Sequence, residues 1–323
     1  MKISILVPVY NSAKYLHQAL DSLAGQTWKD LEFICINDGS TDNSLEILSQ
    51  YAAKDKRFKV FSQPNGGYGK SLNHALRHAQ GEYIGILEPD DWAEKDMYAL
   101  LAQAAIRSGA DVVKGDFYNY CGQTGKDTPA QCIPAKLAEK VFSPKEEPEV
   151  FLLNYSIWSA IYKKKFLQKY QISVHETPGA SHQDVSFMFF VWSCASSVFL
   201  LRRPLLHYRT DNPASSVHSP SKVWCICEEY EHIENFLRRH PEKAQFEGVK
   251  NQLKYRNYMW NVRRLRGKIR KEFICRTAEQ FRSALEKEKI YWQGLNKKHQ
   301  KRFKQWAYHP RWLSFKFSCR FWE

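Results

Sequence analysis

Residues 3–25 read ISILVPVYNSAKYLHQALDSLAG and decide the fold, because they join one strand pattern to one helix pattern. The opening ISILVPV is an apolar run, as in a strand that is buried on both faces. Asn11 or Ser12 can cap the helix that follows, and Gly25 can end it. The apolar residues of this helix share one face and are Leu16, Ala19, Leu20 and Leu23. The segment therefore predicts one strand–helix unit.

Strand and helix patterns keep alternating as far as residue 120. Further strands are predicted at 31–36, 58–61, 83–87 and 111–117. The helices between them carry Leu45 and Leu48, then Leu72, Ala75, Leu76 and Ala79, and the last is predicted at 96–107. Short links between such elements imply right-handed crossovers and a mostly parallel sheet, so the fold class is α/β. Residues 121–149 are rich in Pro, Gly, Lys and Glu and predict a loop.

Polar clusters follow three of the strands, at residues 10–11, 37–40 and 88–91. Ligands of parallel sheets bind beyond the carboxyl ends of the strands, so these clusters should converge on one crevice. Carboxylates in such a place are costly unless they are solvated, paired or bound to a cation. Mn²⁺ or Mg²⁺ prefers one or two carboxylates together with phosphate oxygens, so a metal-held diphosphate fits the crevice. The alternative is that these aspartates only cap helices and turns.

Six motifs occur in order along the chain: VPVYN at 7–11, NDGSTDNS at 37–44, NGG at 65–67, Asn73, GEYIGILEPDDW at 81–92 and HQD at 182–184. Together they resemble the family 2 glycosyltransferases of the GT-A fold. The resemblance covers the first two thirds of the chain and implies a GT-A-like domain with a mostly parallel central sheet. It implies a nucleotide-sugar-binding half at 1–120 and an acceptor-binding half at 121–220. A helical, basic, aromatic-rich region would follow at 221–323.

The resemblance implies a site for a nucleotide-diphosphate-sugar donor, and the expected donor is a UDP-sugar. Tyr10, after Pro8, would lie against the nucleobase, and Asp38 would hydrogen-bond the base. Asp90 matches the last residue of the family's DxD motif, which holds the metal ion and the diphosphate. The first acid of that motif is Glu88 in this chain, which keeps the charge and has a longer reach toward the ribose.

Two basic residues are candidate phosphate ligands by the same resemblance. Lys70 would supply a cation to the diphosphate, because Leu72 replaces an arginine that family members often have. Arg209 belongs to a motif that continues to Ser215 and Ser216, and it would contact the diphosphate. The alternatives are a solvated lysine and a surface salt bridge.

Asp184 in HQD matches the family's catalytic aspartate, with Gln183 in place of a glutamate. A carboxylate within hydrogen-bond reach can take the proton of an attacking sugar hydroxyl, and attack from the opposite face inverts the anomeric carbon. A second interpretation, compatible with the first, is that Asp184 caps a helix at 185–192. Trp158 would stack on an acceptor sugar unless it is a core tryptophan, and Asp91 would position the acceptor. The QxxRW signature of processive synthases is absent, which favours the addition of a single sugar.

The net charge of +14 comes from the C-terminal region. Residues 251–323 hold 20 Lys and Arg against 5 Asp and Glu, whereas residues 1–250 hold 28 against 29. The aromatic residues among these charges are Trp260, Phe273, Tyr291, Trp292, Phe303, Trp306, Trp312, Phe315, Phe317 and Trp322. This mixture suits an anionic membrane surface, which would serve a lipid-linked glycan acceptor. The alternative is a helical appendage whose basic residues are simply solvated.

The first residues lack a signal peptide pattern, and no apolar stretch is long enough to span a bilayer. We therefore expect a cytoplasmic protein with reduced cysteines, peripheral on the inner face of the cell membrane. The basic charge would also suit a nucleic-acid-binding protein, but it lies in one region and no binding motif appears, so no nucleic acid is expected. A nucleotidyltransferase would need a basic, Gly-rich loop after the first strand, and this sequence has no such loop there. An inactive sugar-nucleotide-binding relative is suggested by Glu88, Gln183 and Leu72.

The sequence thus predicts an inverting glycosyltransferase with Mn²⁺ or Mg²⁺ as its cofactor. Its partners would be a nucleotide-sugar donor and a glycan or lipid-linked glycan acceptor. A role in a bacterial cell-surface polysaccharide pathway follows from the family resemblance alone.

Overall fold

In the computed structural model, which describes residues 1–213 and 222–318, the predicted first strand lies within a ten-stranded sheet. This strand, β1 (Ile3–Val9), has all seven of its residues buried. It pairs in parallel with β2 (Leu31–Asn37) on one side and with β4 (Tyr83–Ile86) on the other. Because both edges and both faces of β1 are covered, an apolar sequence along its whole length is what the position requires.

The other strands extend this sheet on both sides. They are β3 (Phe58–Ser62), β5 (Trp92–Ala93), β6 (Val112–Cys121), β7 (Lys126–Ala130), β8 (Val141–Phe142), β9 (Ala160–Lys163) and β10 (Val198–Arg209). The order is β3-β2-β1-β4-β9-β6-β10-β5, with β7 beside β6 and β8 beside β10. Strands β1 to β4 pair in parallel, as do β6 and β10. The predicted α/β class is confirmed, and antiparallel neighbours such as β9 make the sheet a mixed one.

The segment 121–149, predicted as a loop, contains two short strands. Strand β7 forms an antiparallel hairpin with the end of β6, and β8 pairs with β10. The sequence prediction missed them because β7 is polar and exposed and β8 is only two residues long. Neither strand has the apolar alternation that marks a half-buried strand.

Six helices of residues 1–213 cover this sheet or its loops: α1 (Ala13–Ala24), α2 (Ser44–Lys54), α3 (Tyr68–His78), α4 (Met97–Ser108), α5 (Lys164–Lys169) and α6 (Gln183–Cys194). Helix α1 buries the four apolar residues that its sequence pattern predicts. Its N-terminus is capped from a distance, because Oδ2 of Asp42 accepts a hydrogen bond from the backbone of Ala13 at 3.0 Å. The other oxygen of Asp42 accepts from Ser44 at 3.0 Å, so one carboxylate stabilises the starts of α1 and α2.

A buried glutamate in β2 links this strand to its neighbours β1 and β3. Glu32 in β2 accepts hydrogen bonds from the hydroxyl of Ser4, the backbone of Gln80 and the ammonium of Lys59, and it forms an ion pair with Lys2. Burial alone would raise its pKa, but these partners outweigh burial and lower the pKa of Glu32 to about 2. The ionised carboxylate therefore stabilises the folded state.

Two compact units are recognised along the chain, Met1–His218 and Ser219–Glu323. The second unit consists of helices in its described residues: α7 (Cys225–Arg239), α8 (Glu247–Arg264), α9 (Gly267–Glu286), α10 (Lys297–Tyr308) and α11 (Pro310–Ser318). Its core is aromatic, since the rings of Tyr255, Tyr258, Phe281 and Trp306 contact one another. None of the described helices combines the length and the apolar character that crossing a membrane requires.

The aromatic residues of the basic region differ in exposure. Phe273, Phe303 and Trp306 are fully buried, so they cannot contact a membrane as the sequence suggested. Their basic neighbours obscured the periodicity of the core in the sequence. Trp312 and Phe315 are exposed, and Trp322 lies outside the described residues.

We expect the Glu32→Gln variant to lose stability in a pH-dependent way. A folded pKa of about 2 against 4.5 in the unfolded chain means that the contribution is complete above pH 4.5 and is lost as the pH falls toward 2. The difference in free energy of unfolding between wild type and variant should be about 3 kcal/mol at neutral pH. Urea unfolding at several pH values measures it, with Glu46→Gln on the exposed side of α2 as control. A difference that stays constant down to pH 3 would contradict the account.

Candidate active site

Three carboxylates meet in the turn that follows β4. Glu88, Asp90 and Asp91 each offer an oxygen within 4.8 Å of the oxygens of the other two. The turn is closed by a hydrogen bond from the backbone of Asp91 to the carbonyl oxygen of Glu88, at 3.2 Å. Asp91 is buried, whereas Glu88 and Asp90 are partly exposed. Like charges at such distances repel strongly, so the cluster requires protons or a cation.

The acid–base properties of the cluster reflect this repulsion. Burial and the neighbouring Asp90 raise the pKa of Glu88 to about 8. Burial, Asp90 and Glu88 raise the pKa of Asp91 well above its usual range. Oδ2 of Asp91 is buried and has no hydrogen-bond partner among the described residues. A hard divalent cation would favour the ionised carboxylates and would supply the missing partner, so these residues fit Mn²⁺ or Mg²⁺.

Arg209, at the end of β10, supports this turn from behind. Its backbone N–H donates to Oδ1 of Asp91 at 2.8 Å, and its Nε donates to the carbonyl oxygen of Asp90 at 3.1 Å. Its Nη2 donates to Gln18 at 2.7 Å. The guanidinium lies against three aromatic rings, those of Tyr15, Trp92 and Tyr120. Arg209 is 8% exposed, so these contacts make it a positioning residue, and the predicted phosphate contact stays a prediction.

Asn212 also holds Asp90. Its Nδ2 donates to Oδ2 of Asp90 at 2.7 Å. The neighbouring residues Ser215 and Ser216, part of the motif used in the sequence prediction, lie outside the described residues. Sequence reasoning missed this contact, because Asn212 is not among the residues that carry the family resemblance.

Asp38 anchors the glycine turn that leads into α3. Its Oδ1 accepts hydrogen bonds from Gln63 at 2.7 Å and from the backbone of Gly66 at 2.9 Å, and its Oδ2 accepts from the backbone of Gly67 at 2.9 Å. The carboxylate is therefore fixed at the carboxyl end of β2, and these bonds use three of its roughly four acceptor positions. Tyr10, at the end of the adjacent β1, is 50% exposed and available for stacking.

Tyr68 connects this turn to the acidic cluster. Its hydroxyl donates to Oε1 of Glu88 at 3.0 Å, while Gly67 immediately before it donates to Asp38. Burial and the charge of Glu88 raise the pKa of Tyr68, so the hydroxyl stays a donor. Asp38 and Glu88 are thus joined through two consecutive residues, and the predicted convergence of these two strand ends is present. Sequence reasoning missed Tyr68, because a tyrosine at a helix start belongs to no recognised pattern.

The aspartate predicted as the base lies in the same region. Asp184 is in the first turn of α6, is partly exposed, and its charge contributes to the raised pKa of both Glu88 and Tyr68. Gln183 is buried beside it, donating to Thr177 at 2.8 Å and to the carbonyl oxygen of Gly179 at 3.2 Å. Asp184 is therefore near enough to influence the charge of Glu88, and its partial exposure suits a proton acceptor.

The loop before Asp184 packs tightly on the start of α3. The backbone of Tyr68 donates to the carbonyl oxygen of Gly179 at 3.1 Å. A Cβ on Gly67 would lie 2.8 Å from the backbone of Gly179, and one on Gly69 would overlap the carbonyl oxygen of His175. Only glycine permits this approach, which brings the two halves of the site together.

Two of the predicted binding residues require correction, and a third is buried. Pro8 lies inside β1, paired with Ile36 of β2, and its predicted contact with the base stays a prediction. Trp158 is 7% exposed and stacks on Tyr208 with a centroid distance of 5.2 Å, so it is the core tryptophan of the alternative interpretation. Asp91 is 1% exposed and bonds to Arg209, so it cannot touch an acceptor.

Lys70 is exposed on α3, and its aliphatic chain covers Gly66. Lys70 therefore lies on the same glycine turn that Asp38 anchors. This position keeps its ammonium close to solvent, where it is free to turn toward a ligand. The diphosphate contact predicted for it stays a prediction.

Comparison with known sequences gives a family match over more than half of the chain. Residues 4–180 match the description "Glycosyl transferase family 2". The uncharacterized glycosyltransferase EpsJ of Bacillus subtilis is 30% identical over 223 residues, which is 68% of this chain and 64% of that protein. The alignment therefore spans slightly less than two thirds of the relative.

Comparison with solved structures identifies the fold. The crystal structure of S. aureus TarS 1-349 in complex with UDP-GlcNAc has a TM-score of 0.75, with 19% identity over 98% of this chain and 89% of the other. Mannosyltransferase PcManGT from Pyrobaculum calidifontis, in complex with GDP-Man and Mn²⁺, has a TM-score of 0.54, with 16% identity over 98% and 86% of the two chains. The predicted GT-A-like fold is confirmed by this similarity.

The close packing of the loop at 175–180 on Gly67 can be tested by substituting alanine at two glycines that both have positive φ. Gly67→Ala (φ 90°) would strain the backbone and also clash with Gly179, whereas Gly109→Ala (φ 64°) has no heavy atom within 4 Å. We expect losses in free energy of unfolding of about 3 kcal/mol and about 1 kcal/mol, respectively. Denaturant unfolding measures both. Equal losses in the two variants would mean that the loop at 175–180 does not constrain the turn.

Proposed function

The chain belongs to glycosyl transferase family 2, and we propose that it is an inverting enzyme that transfers one sugar from a nucleotide-diphosphate-sugar to an acceptor hydroxyl. The observation that carries this proposal is the meeting of Asp184, the Glu88–Asp91 cluster and the turn held by Asp38. A donor diphosphate needs a cation site, and an acceptor hydroxyl needs a nearby base. The described residues supply candidates for both within one connected group.

The donor is proposed to be a UDP-sugar bound by residues 1–120. Tyr10 would stack on the base and Asp38 would accept its N–H, since Tyr10 is exposed and Asp38 is fixed beside it at the next strand end. Glu88 would reach the ribose, and Lys70 would approach the diphosphate. The structural similarity to a TarS complex that contains UDP-GlcNAc supports uracil as the base.

A divalent ion, Mn²⁺ or Mg²⁺, is proposed to be held by Asp90, with Asp91 or Glu88 as further carboxylates of the cluster. When bound, the ion would neutralise charge on the departing diphosphate. Arg209 and Asn212 would keep Asp90 in place through their hydrogen bonds. The Mn²⁺ in the PcManGT complex supports this choice of metal.

Asp184 is proposed to remove the proton from the acceptor hydroxyl. As the new bond to the anomeric carbon forms, the proton passes to the Asp184 carboxylate and the nucleoside diphosphate leaves from the opposite face, which inverts the configuration. The buried amide of Gln183 would hold the preceding loop so that Asp184 faces the donor.

The acceptor is proposed to be a glycan or a lipid-linked glycan bound by residues 121–220. The pathway would be bacterial cell-surface polysaccharide synthesis, and the relative EpsJ is a glycosyltransferase of a bacterium. The protein would work in the cytoplasm, on the inner face of the membrane, with the basic region 251–323 at the lipid surface.

A panel of nucleotide-sugars with and without acceptor, read by nucleotide release, tests the activity. In this assay Asp184→Asn should retain the donor Kd and lower transfer by about 100- to 10,000-fold, because only the proton acceptor is lost. The matched control is Asp96→Asn, an exposed aspartate paired with Arg203 outside the site. Unchanged transfer by Asp184→Asn would remove Asp184 from the mechanism. Donor binding without transfer in the wild type would favour the inactive relative instead.

The proposed metal site predicts a specific response to chelation. EDTA should stop nucleotide release, and added Mn²⁺ should restore it. Asp90→Asn should weaken Mn²⁺ binding, measured by calorimetry in the absence of donor, by about 10-fold or more, because it removes a charged ligand. Activity that is indifferent to EDTA, together with undiminished Mn²⁺ binding by the variant, would exclude Asp90 as the ligand.

A further inference from the structure

A basic groove lies in the second unit, which contains none of the residues assigned to the candidate active site. Its volume is about 430 Å³, and it runs along α10 to the start of α11. The residues that line it are Lys297, Gln300, Lys301, Lys304, Gln305, Tyr308 and His309. No acidic side chain is among them, so the groove offers only cations, neutral polar groups and one aromatic ring.

The lysines of the groove form one face of α10. Lys297, Lys301 and Lys304 are spaced at i, i+4 and i+7, and all three are exposed. No carboxylate in the described part of the second unit forms an ion pair with these lysines. Ion pairs do exist elsewhere in that unit, since Glu234 pairs with both Lys250 and Lys254. The chain also contains no Asp or Glu from 289 to 322. The positive charge on this face is therefore uncompensated and favours an anionic ligand.

Helix α11 adds exposed aromatic side chains next to the groove. Trp312 is 45% exposed and Phe315 is 64% exposed. The ammonium of Lys316 lies over the ring of Trp312. Partial burial and the like charges of Lys301 and Arg302 lower the pKa of Lys316, so this end of α11 adjoins the lysines of α10. Trp312 is thus contiguous with these cations, and Phe315 lies about one turn further along α11. We name Lys297, Lys301, Lys304, Tyr308, Trp312 and Phe315 the α10–α11 surface.

This combination narrows the class of ligand. A small phosphate would need the lysines but would leave the two exposed rings in water. A bilayer with anionic lipids uses both, since the phosphates of its headgroups meet lysines and its interfacial region takes up Trp and Phe. The absence of acidic residues over this stretch adds long-range attraction to the same surface.

We propose that the α10–α11 surface docks on an anionic phospholipid bilayer, with lipid phosphates in the lysine groove and Trp312 and Phe315 at the headgroup level. This inference deepens the proposed function by locating its membrane contact within 251–323, and it does not depend on the catalytic residues. Peripheral binding of this kind should weaken as salt is added, because the charges are exposed.

Sedimentation of the full chain with vesicles tests the proposal. Vesicles of phosphatidylcholine with one quarter phosphatidylglycerol should bind the wild type, and pure phosphatidylcholine should not. The triple variant Lys297→Gln, Lys301→Gln, Lys304→Gln should bind on the order of 100-fold more weakly, at roughly fivefold per lysine. The matched control is Lys268→Gln, Lys271→Gln, Lys287→Gln, which removes the same charge from exposed positions of α9 and its end. Equal losses of binding in both triple variants would show that net charge alone matters and would overturn the proposal that lipid phosphates bind in the groove.

A second pair of measurements separates the lipid from other anions. Trp312→Ala with Phe315→Ala should reduce binding to the same vesicles at raised salt, where the charges contribute less. Retention of full binding by that variant would overturn the proposed aromatic contact. Inorganic pyrophosphate or RNA that binds the wild type, with no binding to either vesicle, would overturn the membrane proposal. Nucleotide release without acceptor should be the same in every variant, so failure of the surface and failure of the enzyme give different results.

Discussion

Repulsion among the carboxylates after β4 is the constraint on which the candidate site depends. Glu88, Asp90 and Asp91 can stay within 4.8 Å of one another only if other groups hold them, because each ionised carboxylate raises the pKa of the next. Arg209 and Tyr68 provide that support through hydrogen bonds to Asp91 and Glu88, respectively. The same arrangement leaves one oxygen of Asp91 without a partner, and a cation satisfies that oxygen better than any described side chain does.

The support comes from parts of the chain that are distant in sequence and adjacent in the sheet. Arg209 reaches the cluster because β10 pairs with β5 immediately after Asp91. Gly67 and Gly69 let the loop before Asp184 lie directly on α3. The sheet and these glycines therefore fix the positions of Arg209, the acidic cluster and the loop before Asp184 relative to one another, which is the kind of preorganisation that the proposed transfer would require.

The sequence was sufficient where the information is local. The run at residues 3–9 predicts a buried strand, and the spacing of Leu16, Ala19, Leu20 and Leu23 predicts the buried face of α1, because burial on a strand or helix has a period. The positions of the polar clusters after the strand ends also predicted that they would converge on one crevice. The sequence could not show which side chains are covered by elements that are distant along the chain. Trp158 looked like a sugar platform, but Tyr208 covers its ring, and only the packing of β10 decides this.

Gln183 stands where the family resemblance implies a glutamate, and its contacts are consistent with the candidate site. Its amide accepts from the backbone of Ser181 and donates both to Thr177 and to the carbonyl oxygen of Gly179. A carboxylate at this buried position could not donate to that carbonyl and would add a charge next to Asp184 in the chain. Glu88 already has its pKa raised to about 8 by burial and its neighbours. A neutral amide at 183 keeps the loop closed without adding to the repulsion, so the replacement preserves the geometry around Asp184 and leaves it the only carboxylate of this loop's HQD motif.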